Sequence, residues 1–226
     1  MLNIEQYPHA SYDPRTRIGY LALYFSYPGP QSPEPTISMA NWRKNSHSSA
    51  ILNFKEGKKQ HIEQFIAPFY QLIYQVMSLE KASEAYLVPM PSSRSPNSPD
   101  YCDQPRISKP NEARNRDNRN HVFCQFLRKK DEHQRLHIAD IISRQFDKPE
   151  KARWSVMEHA QSLQLRRFDN LCGPSSVFIL IDDVVTTGNT FGGARHLLNQ
   201  RYPNVPVICL ALGKTTTPHE FKPLVD

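Results

Sequence analysis

Two adjacent carboxylates followed by a hydroxyl-rich turn form the chemically most pointed stretch of this chain. Asp182 and Asp183 close an apolar run, Val177 to Ile181, and lead through Val184 and Val185 into Thr186-Thr187-Gly188-Asn189-Thr190. The apolar run is rich in β-branched types and reads as a buried strand. Phe191 to Gln200 reads as a helix. Strand, small polar turn and helix in that order make an anion site. The first backbone N–H groups of a helix have no partner within it, and the hydroxyls add further donors. In an open α/β sheet, ligands bind outside the carboxyl ends of the strands. Carboxylates beside such a turn repel a phosphate unless they face something else. Vicinal ribose hydroxyls, or a magnesium ion with its preference for oxygen, meet that need. The ligand indicated is a ribose 5-phosphate unit, with phosphate in the turn and ribose over Asp182 and Asp183.

The run Ile179 to Thr190 resembles the phosphoribosyl pyrophosphate (PRPP) motif of the type I phosphoribosyltransferases: apolar residues, two acids, two apolar residues, then Thr-Thr-Gly-x-Thr. Two other segments are similar to the ComF-like branch of that family. In Ile51 to Gly57 the likeness is to an apolar-Lys-aromatic turn that precedes the first domain helix. Ala85 to Pro91 is similar to a Val-Pro-x-Pro strand that leads into a loop gripping pyrophosphate. Ser92, Ser93 and Arg94 occupy that loop, and small hydroxyls with a planar, bidentate guanidinium suit a diphosphate. The chain departs from the branch in lacking the N-terminal zinc ribbon and the Arg-Gly-Phe-Asn-Gln run.

The resemblance implies an α/β fold with a doubly wound parallel sheet, helices on both faces and a small N-terminal hood. It implies transfer of a phosphoribosyl group from PRPP to, or from, a base, with Asp182 and Asp183 as catalytic residues. Magnesium would arrive with the ligand, held by no protein cluster alone, with Asp182 and Asp183 as its protein contacts. A different class remains open: a regulator or effector that senses PRPP or a nucleotide while bound to protein or nucleic acid.

Composition sets the surroundings. The chain has 226 residues, 38% of them hydrophobic, and a net charge of +6, with pI about 9.1. A basic bias fits an anionic substrate and equally permits nucleic acid. Cys102, Cys124, Cys172 and Cys209 form no Cys-x-x-Cys pair; the expectation is a reduced, cytoplasmic protein without a zinc knuckle. No apolar stretch is long enough for a membrane span, and the N-terminus has no basic region followed by an apolar run. The nine histidines show no metal-ligand spacing. Gly213-Lys214-Thr215 lacks the earlier glycine of a Walker loop, since Ile208 stands in its place.

The elements that must position the site follow. Ile18 to Phe25 reads as a strand, and the prolines at 28, 30, 33 and 35 end it. Residues 1–48 are expected as an accessory or hood segment, and 49–226 as the main domain. Ile62, Phe65, Ile66, Phe69, Leu72, Ile73 and Val76 recur at helical spacing, with Pro68 marking a kink or two shorter helices. A mobile loop is expected at about 92–120, its polar part being Pro96 to Asn120. Arg106, Lys109, Arg114, Arg116 and Arg119 would close over pyrophosphate or contact a nucleic-acid backbone. Three helices are then expected: one around Val122 to Leu127, one around Leu136, Ala139, Ile141 and Ile142, and one over Lys151 to Leu165. Val205 to Leu212 reads as the strand after the Phe191 helix.

Overall fold

The computed structural model describes residues 2, 4–24, 46–57, 59–99, 101, 117–149, 153–168, 173 and 175–216. Its elements in chain order are β1 (Ser11–Asp13), β2 (Ile18–Tyr24), α1 (Ser46–Lys55), α2 (Lys59–Glu63), α3 (Ile66–Leu79), β3 (Glu84–Pro89), α4 (Arg119–Lys130), β4 (Leu136–Ile138), β5 (Ile142–Arg144), α5 (Val156–Gln161), β6 (Leu163–Leu165), β7 (Ser176–Val185), α6 (Asn189–Arg201) and β8 (Val207–Thr215).

Six strands form one sheet in the order β1-β2-β8-β7-β3-β4. All neighbours in it run parallel except β1, which lies antiparallel to β2. The central strand β7 explains the arrangement. Val177, Phe178, Ile179, Leu180 and Ile181 are all buried, as a strand covered on both faces requires. Ile179 and Ile181 pack on one side with Phe54, Phe69, Ile73 and Phe123 of α1, α3 and α4. Phe178 and Leu180 pack on the other with Phe191, Ala194 and Leu198 of α6. Each such side chain contributes about 1.5–3 kcal/mol when fully buried. The fold is therefore α/β with a mostly parallel sheet and helices on both faces.

Several local expectations change. Residues 18–24 do not stand apart as an accessory segment: β2 pairs with β8 from Ile18↔Cys209 to Tyr24↔Thr215. The expected boundary at 48/49 falls inside α1, and Ile51 to Lys55 are helical rather than a turn. The helical stripe from Ile62 to Val76 divides into α2 and α3. Pro68 is the third residue of α3, where no intrahelical donor is needed. The expected helix around Leu136 to Ile142 is instead two short strands. Leu136 and Ile138 pair with Ala85 and Leu87, and β5 pairs antiparallel with β6. Among the described residues of 151–165, helix is confined to α5, opened by a capping box in which Ser155 and Glu158 each accept from the other's backbone N–H. Gly213, Lys214 and Thr215 lie in β8, not in a phosphate loop.

Candidate functional site

The turn after β7 has the form its sequence asks for. Gly188 caps α6 with φ +81 and ψ 0, a left-handed conformation that glycine adopts without penalty. Its carbonyl accepts the N–H of Gly192 at 2.8 Å, so the helix begins immediately beyond it. No side chain caps the helix through Gly188, which leaves first-turn N–H groups for a ligand. The Asn189 N–H lies at a long 3.4 Å from Thr187 Oγ1, and Thr186 and Thr187 are exposed. Asn189 Nδ2 donates to the Trp154 carbonyl at 2.9 Å. Thr190 Oγ1 and His159 Nε2 are 3.4 Å apart. His159 is buried, and burial, then the charges of Lys148 and Arg144, push its pKa down to about 4. The imidazole beside the turn is neutral at neutral pH. Helix α5 reaches this position because Gly193 has no side chain: a Cβ there would stand 2.7 Å from His159 Cβ and 2.8 Å from the Ala160 nitrogen.

The two carboxylates have different surroundings. Asp183 is buried, and its Oδ2 accepts Nε and Nη2 of Arg119 at 2.9 and 2.5 Å. Burial opposes its ionisation, but the Arg119 charge and hydrogen bonds, with Lys55 further off, hold it below the usual carboxylate range. Asp182 Oδ1 accepts the Asp183 N–H at 2.8 Å and Asn120 Nδ2 at 3.2 Å. Burial and the neighbouring Asp183 charge push its pKa up to about 7. The same Asn120 Nδ2 donates to the Met90 carbonyl at 2.9 Å. Arg119 and Asn120, the last two residues of the expected mobile loop, are thus the first turn of α4, fixed under the site.

The raised pKa of Asp182 has a consequence for stability. Its unfolded value is about 3.9, so the contribution of this group is fully present below about pH 4 and is lost as pH rises through about 7. Asp182→Asn is expected to remove that loss and to stabilise the protein at pH 8 by on the order of 2 kcal/mol. Urea midpoints at pH 5 and pH 8 check it. Parallel pH profiles for wild type and variant would assign the strain to another group.

The expected diphosphate loop emerges beside the turn. β3 pairs with β7 up to Pro89↔Ile181, and the Met90 N–H donates to the Ile181 carbonyl at 2.9 Å. Ser92 to Arg94 and Thr186 to Thr190 therefore leave the same carboxyl edge of the sheet. The loop is held from the β5–β6 side. Arg144 Nε donates to the Ser92 carbonyl at 2.6 Å, the Lys148 N–H to the Ser93 carbonyl at 2.7 Å and the Ser95 N–H to Asp147 at 2.6 Å. Ser92 and Ser95 are buried, so the segment from 92 to 95 is packed structure and not part of a free lid. Arg106, Lys109, Arg114 and Arg116 lie outside the described residues.

Composition groups Arg119 with the loop cations, whereas its partner Asp183 lies 64 residues away. No local pattern marks Arg144, Trp154 or His159 as site residues.

Among the described residues, no group of three or more His, Cys, Asp or Glu side chains is arranged to hold a metal ion. No helix among them is long and apolar enough to cross a membrane. Cys124 and Cys209 are free and buried. No protein-family model matches the chain, and no curated protein matches it.

Proposed function

We propose that this chain is a phosphoribosyltransferase-like protein of the type I, ComF-like kind that binds PRPP or a nucleotide at the carboxyl ends of β7 and β3. The observation that carries the reading is the left-handed Gly188 at the start of α6, directly after two acids at the end of the central parallel strand. The turn Thr186 to Thr190 takes the 5-phosphate and thereby sets the position of the anomeric carbon. Asp182 and Asp183 face the ribose. In transfer, the bond from the anomeric carbon to a pyrophosphate oxygen breaks and positive charge develops on the ring, where nearby carboxylates are favourable.

With no cluster of three or more metal-ligating side chains among the described residues, magnesium fits here as an ion brought by the diphosphate. Asp183 is committed on one oxygen to Arg119, which leaves Asp182 as the motif acid without an arginine partner. Such an ion, with Asp182 as its protein contact, would supply charge neutralisation to the leaving diphosphate. The protein's own share is to bind the phosphate, orient the ribose and set the charge around it.

The Arg119–Asp183 pair also favours a second reading, a sensor that binds PRPP or a nucleotide without turning it over, because it neutralises half of the acidic pair. Release of inorganic pyrophosphate from PRPP, assayed with a panel of purine and pyrimidine bases, separates the two. Base-dependent release supports the transferase. Calorimetric binding of PRPP without release supports the sensor. Absence of both would remove the common premise.

A further inference from the structure

A cavity of about 650 Å³ opens at the far edge of the sheet, away from the acids and the turn. Strands β2 and β8 run parallel. Arg17 and Val207, which line the cavity, stand where those two strands begin, whereas Thr186 to Thr190 leave the carboxyl edge. Small-ligand sites span about 300–1,000 Å³, so a nucleotide has room here.

The walls are cationic. Arg15 and Arg17 come from the connection between β1 and β2, and Arg195 comes from α6. None of the described residues lining the cavity is an aspartate or a glutamate. Arg17 is paired with Glu80 at 3.1 Å, and Glu80 also accepts the Tyr12 hydroxyl. Arg15 and Arg195 form no ion pair among the described residues. Asp13, close to Arg15 in the chain, accepts the Arg15 N–H and the Thr16 hydroxyl, both at 2.9 Å. Arg17 holds φ +53, unusual for a residue with a side chain. Its carbonyl accepts the Cys209 N–H at 2.9 Å, which ties the connection to β8.

Arg195 is the anomaly. It is half-buried, and its Nε is buried without a hydrogen-bond partner. Its Nη2 donates to the Arg17 carbonyl at a long 3.3 Å and to Cys209 Sγ at 2.9 Å. Sulfur is a weak acceptor. Burial pushes the Cys209 thiol up to about 11, against the Arg195 charge, so no thiolate neutralises the guanidinium. An orphaned donor on a cation is costly to keep, and phosphate oxygens supply both the charge and the acceptors it lacks. Helix α6 ends beside the cavity, and its last carbonyls favour cations, but this effect is weaker than an arginine–phosphate pair. The remaining wall is built for more than a bare anion. Asn199 and Asn204 bring amides, and Pro203 and Pro206 bring apolar surface. Amides can pair with the edge of a base, and proline rings can cover its face.

We propose that this cavity is a second ligand site, for a nucleoside phosphate, with Arg195 and Arg15 on the phosphates and Asn199 and Asn204 at the base. None of these residues belongs to the turn or the acids, so the site stands or falls apart from the reading above.

The probes are ATP and GTP, each titrated calorimetrically without magnesium into the full chain, with inorganic triphosphate as the control. The expected result is a binding event for at least one nucleotide that Arg195→Gln weakens about tenfold and Arg15→Gln about threefold. Gly188→Val should leave it within about twofold, and triphosphate should bind at least about tenfold less tightly. A nucleotide affinity lost in Gly188→Val and kept in Arg195→Gln would place the nucleotide at the turn, overturning the second site and sparing the first. Triphosphate bound as tightly as either nucleotide would remove the base contacts and overturn it. So would the absence of nucleotide binding, including the case in which a single-stranded oligonucleotide binds instead with an affinity that falls steeply with salt. A merely structural Arg195 would lower the melting temperature and leave nucleotide affinity unchanged, which also overturns it. If circular dichroism shows that Arg195→Gln does not fold, Arg15→Gln at an exposed position decides: weakened binding supports the site, and equal affinity overturns it.

Discussion

Gly188→Val is expected to reduce affinity for ribose 5-phosphate and PRPP by about a hundredfold or more while leaving the fold intact. The cause is the backbone. At φ +81 a β-branched residue is a conformational outlier, costing roughly 1–3 kcal/mol wherever the surroundings enforce it. The space itself is not the obstacle, because a Cβ at Gly188 would meet only Ile18 Cδ1, at 3.6 Å. The turn therefore relaxes out of the left-handed region, and the N–H groups of Asn189 and Thr190 change direction. Phe191, Ala194 and Leu198 stay buried against the sheet, so α6 survives the change. Calorimetry gives the affinity and circular dichroism the fold. Unchanged affinity in a folded variant would move the phosphate elsewhere.

The second large effect is on stability. Arg119→Met should destabilise the protein by about 3–5 kcal/mol at neutral pH, the usual cost of breaking a buried pair from one side. Arg119 and Asp183 have side chains only 12% and 8% exposed. The part of the pH dependence that Asp183 contributes should also invert. In the wild type Asp183 is held below the ordinary range. Its contribution is present above the unfolded value near 4 and is lost as pH falls through the folded one. Without Arg119, burial meets weaker opposition, from Lys55 and the Val184 backbone N–H, and the pKa of Asp183 rises, so the variant should lose more stability than the wild type as pH rises. Denaturation at pH 5 and pH 8 reads the sign. Adding Asp183→Leu to Arg119→Met should recover much of the loss, since no charge is then left buried alone. A loss that is equal at both pH values would show that Arg119 acts through packing.

What could be read from the sequence was local. The strand, turn and helix from Val177 to Gln200 carry their own pattern: a continuous β-branched run, a glycine in a small polar turn and a helical stripe. β7, the Gly188 cap and α6 reproduce it. The paired strand β3 was legible for the same reason, as an apolar run ended by prolines. Short strands were not. Leu136 to Ile138 and Ile142 to Arg144 are three residues each, too short to show a period of two, and they are strands only because β3 and β6 supply their partners. β2 was legible as a strand but not as part of the main sheet, because pairing with Cys209 to Thr215 spans nearly the whole chain. The contacts that shape the site's charge share this character. Arg119 with Asp183 and Arg144 with Ser92 are 64 and 52 residues apart, and neither leaves a trace in local spacing. The strand, the left-handed glycine turn and the helix that follows it were therefore legible, while the cations around the acids were not.

The central claim is that a ribose 5-phosphate unit sits with its phosphate in the turn and its ribose against the acids. A crystal structure of the full chain with ribose 5-phosphate tests it most directly. The phosphate oxygens should lie about 3 Å from backbone nitrogens between Thr187 and Thr190, and the ribose 2- and 3-hydroxyls should lie within hydrogen-bond reach of Asp182 or Asp183. A phosphate seated away from this turn, or a ribose that leaves both acids untouched, would contradict the account.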